Sequence, residues 1–185
     1  MPSVLVPLAQ GCEELEAVTI IDLLRRAKVD VISASIDGDI ITASRGNRLL
    51  ADRSLEDIID LEFDMVVLPG GLPGADHLRD DPRIIQLLQR MAAGNKYTAA
   101  ICAAPKVLAK AGLLEGKQAT AFPGTLEKLA LSDTHIRTDA VVCDGKVITS
   151  KGPGTAMDFT LYLIELLCGP DRRREVDAGL QRTQH

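Results

Sequence analysis

The chain opens on a short apolar run, Val4 to Ala9, and after Gln10 and Gly11 its apolar positions take helical spacing, Leu15, Val18 and Leu23, as far as Ala27. A brief apolar run bounded by turn residues marks a buried strand, and apolar side chains recurring every three to four positions mark one helix face. The opening therefore predicts strand, tight turn and helix. Val29 to Ile36 reads as a second strand, Asp37-Gly38 as a hairpin turn, and Ile40 to Thr42 as a segment pairing back on it. A short helical stretch follows Ser54, then a strand from Phe63 to Leu68 ends at Pro69, Gly70 and Gly71. Asp81 and Pro82 have the side chains of an N-cap and a first helical position, for a helix carrying Ile84, Ile85, Leu87, Leu88 and Met91 and stopped by Gly94.

Strand, turn and helix then repeat around Tyr97 to Cys102 and Ala103 to Pro105. Ala119 to Phe122 is a short strand candidate and Thr125 to Leu131 a short helix. Val141 to Cys143 and Lys146 to Thr149, joined at Asp144-Gly145, read as an antiparallel hairpin. Gly152 to Thr155 lead into a strongly apolar helix reaching about Cys168, and the Gly169-Pro170 break precedes a charged segment, Asp171 to Val176, read as a helix or a frayed tail. Strands alternating with helices of about 10 to 15 residues predict an α/β fold, a mostly parallel sheet with helices on both faces. Ligands of such sheets bind beyond the carboxyl ends of the strands. Gln10 to Glu16, Pro69 to Gly74 and Cys102 to Pro105 all follow strand ends and are expected to share one pocket.

Composition narrows the function classes. A chain of 185 residues with 46% hydrophobic residues can bury one core, so residues 1–185 are expected to form one domain, with 170–185 as its terminal helix or tail. A formal charge of −5, only 3% aromatics and no basic stripe argue against a nucleic-acid partner. Cys12, Cys102, Cys143 and Cys168 are far apart and form no CxxC pair, which suggests neither disulfides nor zinc and places the chain in a reducing, cytoplasmic compartment. Met1 runs directly into Val4 to Val6 with no signal-peptide pattern, and no stretch approaches the roughly 20 apolar residues of a membrane span. Neither GxGxxG nor GxxxxGK[ST] occurs and no metal-ligand cluster is visible, so no cofactor is expected.

The candidate chemistry centres on Cys102. Pro105 suits the first position of a helix, and free N–H groups of that first turn would favour a thiolate, as nucleophilic and oxidation-sensing cysteines require. A buried core cysteine at a strand end is the alternative. One of Glu13, Glu14 and Glu16 should face the crevice as proton carrier or hydrogen-bond donor, although acidic residues also gather at helix N-termini for dipole reasons. Gly70-Gly71 either exposes N–H groups as an oxyanion hole or is an ordinary turn. General bases are scarce: His77 lies near the crevice, His135 in a polar loop, and His185 is terminal.

Four motifs, Gly11-Cys-Glu-Glu-Leu-Glu16, Val67-Leu-Pro-Gly-Gly71, Ala100-Ile-Cys-Ala-Ala-Pro105 and Ser150-Lys-Gly-Pro-Gly-Thr155, together resemble the ThiJ/PfpI superfamily. Within it the similarity is to the branch of the human parkinsonism-associated deglycase and bacterial YajL, over Val4 to about Val176. The resemblance implies a flavodoxin-like three-layer sandwich of the class I glutamine amidotransferase type, a homodimer, and no cofactor or metal. It implies that Cys102 is the reactive, easily oxidised cysteine and Glu16 the protonated carboxyl beside it, able to stabilise a sulfinate. Gly71 and Ala103 match the oxyanion-binding N–H groups, Gly70 supports them, and Arg45 matches an arginine reaching across the dimer. The implied substrate is a small dicarbonyl such as methylglyoxal, converted to lactate without glutathione, or a glycated protein. Oxidation sensing or a redox-regulated holdase chaperone is the alternative. Where many relatives carry a histidine after the cysteine, this chain has Ala121-Phe122-Pro123, and Phe122 cannot accept a proton. Lys151 stands where some relatives have arginine or glutamine.

Overall fold

A computed structural model of the chain describes residues 1–183; Gln184 and His185, the latter among the histidines noted above, lie outside the described residues. In chain order the elements are β1 (Ser3–Leu8), α1 (Glu14–Arg26), β2 (Asp30–Ser35), β3 (Ile40–Thr42), β4 (Arg48–Leu50), β5 (Arg53–Ser54), α2 (Leu55–Ile58), β6 (Met65–Leu68) and α3 (Gly74–Asp80). There follow α4 (Pro82–Ala93), β7 (Tyr97–Ile101), α5 (Pro105–Lys110), β8 (Gln118–Ala119), β9 (His135–Ile136), β10 (Val141–Asp144), β11 (Val147–Ser150), α6 (Ala156–Cys168) and α7 (Pro170–Gly179). Seven strands form the central sheet in the order β10-β11-β7-β6-β1-β2-β5, parallel except for the antiparallel β10–β11 pair.

The period-two alternation of side chains assigns each strand residue to one of two cores. Val4, Val6 and Leu8 of β1, Met65 and Val67 of β6, and Ala99 and Ile101 of β7 pack with Ile20, Leu23 and Leu24 of α1, Phe159 and Leu163 of α6 and Val176 of α7. Leu5, Val66, Leu68 and Ala100 face the other way, onto Leu55 and Ile58 of α2, Leu78 of α3, Ile84, Leu87 and Leu88 of α4 and Leu108 of α5. This is the three-layer, flavodoxin-like α/β architecture. The unbroken apolar runs of β1 and β6, without polar alternation, follow from burial on both faces.

Local chemistry sets the element ends. Asp81 caps α4 by accepting the Arg83 N–H at 2.8 Å, Pro82 takes the first turn, and Ser54 caps α2 through the Asp57 N–H. Two sequence expectations are corrected. Ile40 to Thr42 does not pair back on β2; it pairs antiparallel with β4 in a separate ribbon, Ile40 opposite Leu50. Gln10 enforces this, since its side chain donates to the Ile40 carbonyl and accepts the Thr42 N–H, both at 2.8 Å. Thr125 to Leu131 forms successive turns rather than a helix, with Leu126 alone fully buried there, too little apolar surface to hold a helix on the core. The short α3 and β9 were not expected from the pattern.

Candidate active site

The site forms because β1, β6 and β7 are neighbours and their following turns interlock. Chain order reverses about β1, which runs first to β2 on one side and later to β6 on the other, so the crevice outside β1 and β6 is the topological switch point. Across it the Glu13 N–H donates to the Gly70 carbonyl at 2.9 Å and the Gly74 N–H to the Gly11 carbonyl at 3.2 Å. Two glycines are obligatory here. A Cβ on Gly70 would lie 2.7 Å from both Cys102 Cβ and Glu16 Oε2, and one on Gly71, whose φ is +89°, would lie 2.3 Å from the Glu13 nitrogen.

Cys102 follows β7 with φ at +63°, a left-handed backbone that side chains other than glycine adopt rarely and at a cost. Both of its backbone groups are tied: its N–H donates to the Ser150 carbonyl at 2.9 Å, and its carbonyl accepts the Phe122 N–H at 2.8 Å. The sharp turn lifts the sulfur off the strand end and toward the N–H groups of Gly71 and Ala103, which both point at it. Pro105 opens α5 as expected.

Of the three acidic residues, Glu16 reaches the sulfur. Its carboxyl is fully buried, accepts the Gly70 N–H on Oε2 at 2.8 Å, and faces the Cys102 thiol; Oε1 has no conventional hydrogen-bond partner among the described residues. Burial pushes the Glu16 carboxyl up to about 7, against the opposing pull of the Gly70 N–H and the thiol. The thiol was expected to lie low, and here the structure differs. Burial, followed by the charge and hydrogen bonding of Glu16, pushes Cys102 up to about 12, outweighing the Gly71 and Ala103 N–H groups that act in the favourable direction. Two facing acids in one dry site cannot both ionise readily, so above the first ionisation they share one proton and one negative charge.

Glu13 and Glu14 do different work. Glu13 caps α1 by accepting the Glu16 N–H at 2.8 Å. Glu14 accepts the Arg45 N–H at 3.0 Å, the Asn47 side-chain amide at 2.8 Å and the Ser44 hydroxyl at 3.2 Å, thereby anchoring the β3–β4 turn. Although burial opposes its charge, these donors and its own backbone N–H hold Glu14 down to about 2. Sequence reasoning gave this residue no such role; the donor-rich Ser44 to Asn47 turn was the available signal. Arg45 is exposed on that turn, with its backbone fixed by Glu14.

Neither His77 nor His135 is among the groups that act on the Cys102 thiol. His77 Nδ1 pairs with the Gln10 carbonyl at 3.0 Å, lining a cleft with Ile36, Asp37 and Arg83, and His135 lies on exposed β9. Cys12 is buried, with its thiol pushed up to about 12 by burial and then by Glu14 and Glu13. Among the described residues no three His, Cys, Asp or Glu side chains gather where they could hold a metal ion.

A nucleophile elbow, a paired buried carboxyl and two converging N–H groups can add a thiol to a carbonyl and shelter the resulting oxyanion. Comparison with known proteins gives the chain a family. The model of the DJ-1/PfpI family matches residues 2–166. Protein DJ-1 homolog A of Arabidopsis thaliana is 42% identical over 180 residues, covering 96% of this chain but 46% of its own, so the chain spans less than half the length of that relative. A Caenorhabditis elegans protein named glutathione-independent glyoxalase DJR-1.2 is 33% identical over 163 residues, 88% of this chain and 87% of that one. The crystal structure of Drosophila melanogaster DJ-1beta superposes with a TM-score of 0.94 at 40% identity, over 99% of both chains. The chain belongs to the DJ-1/PfpI family.

Proposed function

We propose that the protein is a cysteine-dependent, cofactor-independent glyoxalase that converts small 2-oxoaldehydes such as methylglyoxal to 2-hydroxy acids. The single observation that carries this reading is the fully buried Glu16 carboxyl facing the Cys102 thiol at an elbow where Gly71 and Ala103 N–H groups converge.

Glu16, the stronger acid of the pair and ionised once pH passes about 7, takes the thiol proton as the sulfur attacks the aldehyde carbon. The aldehyde oxygen becomes an oxyanion between the Gly71 and Ala103 N–H groups and then takes that proton, giving a hemithioacetal. Glu16, now a carboxylate, removes the hydrogen from the former aldehyde carbon and returns it to the neighbouring carbon, as the hydroxyl proton passes between the two oxygens. The product is a 2-hydroxyacyl thioester on Cys102. Water adds to its acyl carbon, the carbon–sulfur bond breaks, the proton returns to the Glu16–Cys102 pair, and lactate leaves. No net oxidation occurs and no external thiol is consumed. The same first adduct gives access to early glycation products on proteins, and the relative named as a glutathione-independent glyoxalase supports the small-molecule activity. The functional unit is a homodimer in which the exposed Arg45 extends toward the second copy's site.

The test is steady-state lactate formation from methylglyoxal without glutathione, by wild type and Cys102→Ser. Turnover by wild type and its loss by at least a thousandfold in the variant is the expected result. Negligible wild-type turnover, or a variant that still turns over, overturns the reading.

The partnerless Glu16 Oε1 favours a second use of the same pair. Two successive oxygen transfers from hydrogen peroxide convert the Cys102 thiolate to a sulfinate with release of two waters, and a protonated Glu16 donates to a sulfinate oxygen. Peroxide-dependent protection of an aggregating client, abolished by Cys102→Ala, is the signature of this oxidation-sensing holdase; equal protection by that variant excludes it.

A further inference from the structure

The floor of the site between Gly70, Cys102 and Glu16 is closed, because a single Cβ on Gly70 would already meet Cys102 Cβ and Glu16 Oε2 at 2.7 Å. With the aldehyde carbon at the sulfur and its oxygen at the Gly71 and Ala103 N–H groups, the substituent on the ketone carbon must project outward. Two large, exposed apolar side chains belong to residues joined directly to the backbone of the site. β7, which delivers Cys102, lies between β6 and β11. On the β6 side, Leu72 directly follows Gly71 and is 58% exposed. On the β11 side, Phe122 is 51% exposed, donates its N–H to the Cys102 carbonyl, and lays its ring on the loop after β11, with Cδ2 3.4 Å from where a Gly152 Cβ would be. The nearest cation in that loop, Lys151, turns its Nζ toward the Thr138 carbonyl at 3.4 Å. The two side chains that this chain sets beside Gly71 and Cys102 are therefore apolar, and the Lys151 cation is engaged elsewhere.

Exposed aromatic surface next to a reactive group gains by being covered with apolar surface, and a ring gains further by stacking. We infer that Phe122, with Leu72, is a specificity-determining lip that selects 2-oxoaldehydes bearing an aromatic or branched apolar substituent over methylglyoxal. The inference rests on the glyoxalase reading for its substrate class and on the geometry of the rim for its direction. Phe122 touches no proton in the reaction; it holds the substituent.

The experiment compares kcat/KM for phenylglyoxal and methylglyoxal in wild type, Phe122→Ala, Phe122→Leu and Leu72→Ala. In parallel it measures Cys102-specific alkylation rates, by mass spectrometry, with 2-bromoacetophenone and bromoacetone, which carry the same two substituents. The aromatic-to-methyl ratio is expected to fall about five- to tenfold in Phe122→Ala, less in Phe122→Leu, and measurably in Leu72→Ala, in turnover and alkylation alike. Ratios in Phe122→Ala equal to wild type overturn the lip. Absence of turnover together with an alkylation ratio that still falls in Phe122→Ala overturns the glyoxalase reading and leaves the lip standing.

Discussion

In the proposed mechanism Glu16 combines a catalytic role and a stability cost in one side chain. Its carboxyl is pushed from about 4.5 up to about 7 by burial, so between those values the folded chain holds a proton that the unfolded chain has released. A raised carboxyl pKa contributes stability below the unfolded value and loses it as pH rises through the folded one, here a loss of about 3 kcal/mol by the alkaline side of neutrality. Glu16→Gln should therefore melt at a higher temperature than wild type at pH 8, with the gap closing toward pH 4; a gap independent of pH would mean that Glu16 does not titrate this way. Activity has the opposite sign. The fully protonated pair has neither nucleophile nor base, so wild-type kcat/KM should rise through about pH 7 and then level. In Glu16→Gln turnover should disappear while Cys102 still reacts with iodoacetamide, and retained turnover would remove Glu16 from the mechanism.

At the scale of elements, what was legible depended on whether local pattern or distant contact decides the structure. The strands β1, β2, β6, β7, β10 and β11 and the helices α1, α4 and α6 were readable because their apolar pattern matches the faces they bury, and caps such as Asp81-Pro82 declare themselves within three residues. The elbow at Cys102 was readable as a junction, but not its thiol's upward shift. That shift arises first from burial under the assembled fold and then from Glu16, 86 positions earlier in the chain, and no local window carries either. The β3–β4 ribbon was misplaced for the same reason: Gln10 and Glu14, far from it in sequence, supply the partners that fold it away from β2. The family motifs identified Glu16, whereas helical spacing left three carboxylates open. Glu14 gives a direct test of this long-range control. Glu14→Ala leaves the Arg45 N–H, the Asn47 amide and the Ser44 hydroxyl without their acceptor, a loss of about 2–4 kcal/mol for several hydrogen bonds to one charge. Amide exchange at Arg45 and Asn47 should accelerate far more than in β1 or β7. Unchanged protection there would show that the ribbon holds itself.

At the scale of the whole molecule, the proposed homodimer needs an apolar face, and the exposed apolar side chains offer a candidate for one. Leu15 and Val18 lie three apart on the outer face of α1, 51% and 48% exposed, and Met157 is exposed in the first turn of α6, which packs on α1. The paired Ile40 and Leu50 add an apolar cross-strand pair on the ribbon that Glu14 ties to the start of α1. Scattered exposed residues are ordinary, but these fall on connected elements, and a stable homodimer needs only about 800 Å² per partner. Such a face would set Arg45, on the same ribbon, against the neighbouring copy, which is where an added cation would bind the oxygens of an oxoaldehyde or its product. Two variants separate assembly from contribution. Leu15→Glu with Val18→Glu places two charges in the face and should sediment as a monomer at micromolar concentration where wild type sediments at twice the chain mass. Arg45→Ala should remain dimeric yet raise KM for methylglyoxal several-fold. A wild type that sediments as a monomer would remove the dimer, and a dimeric Arg45→Ala with unaltered KM would leave each site built from its own chain alone.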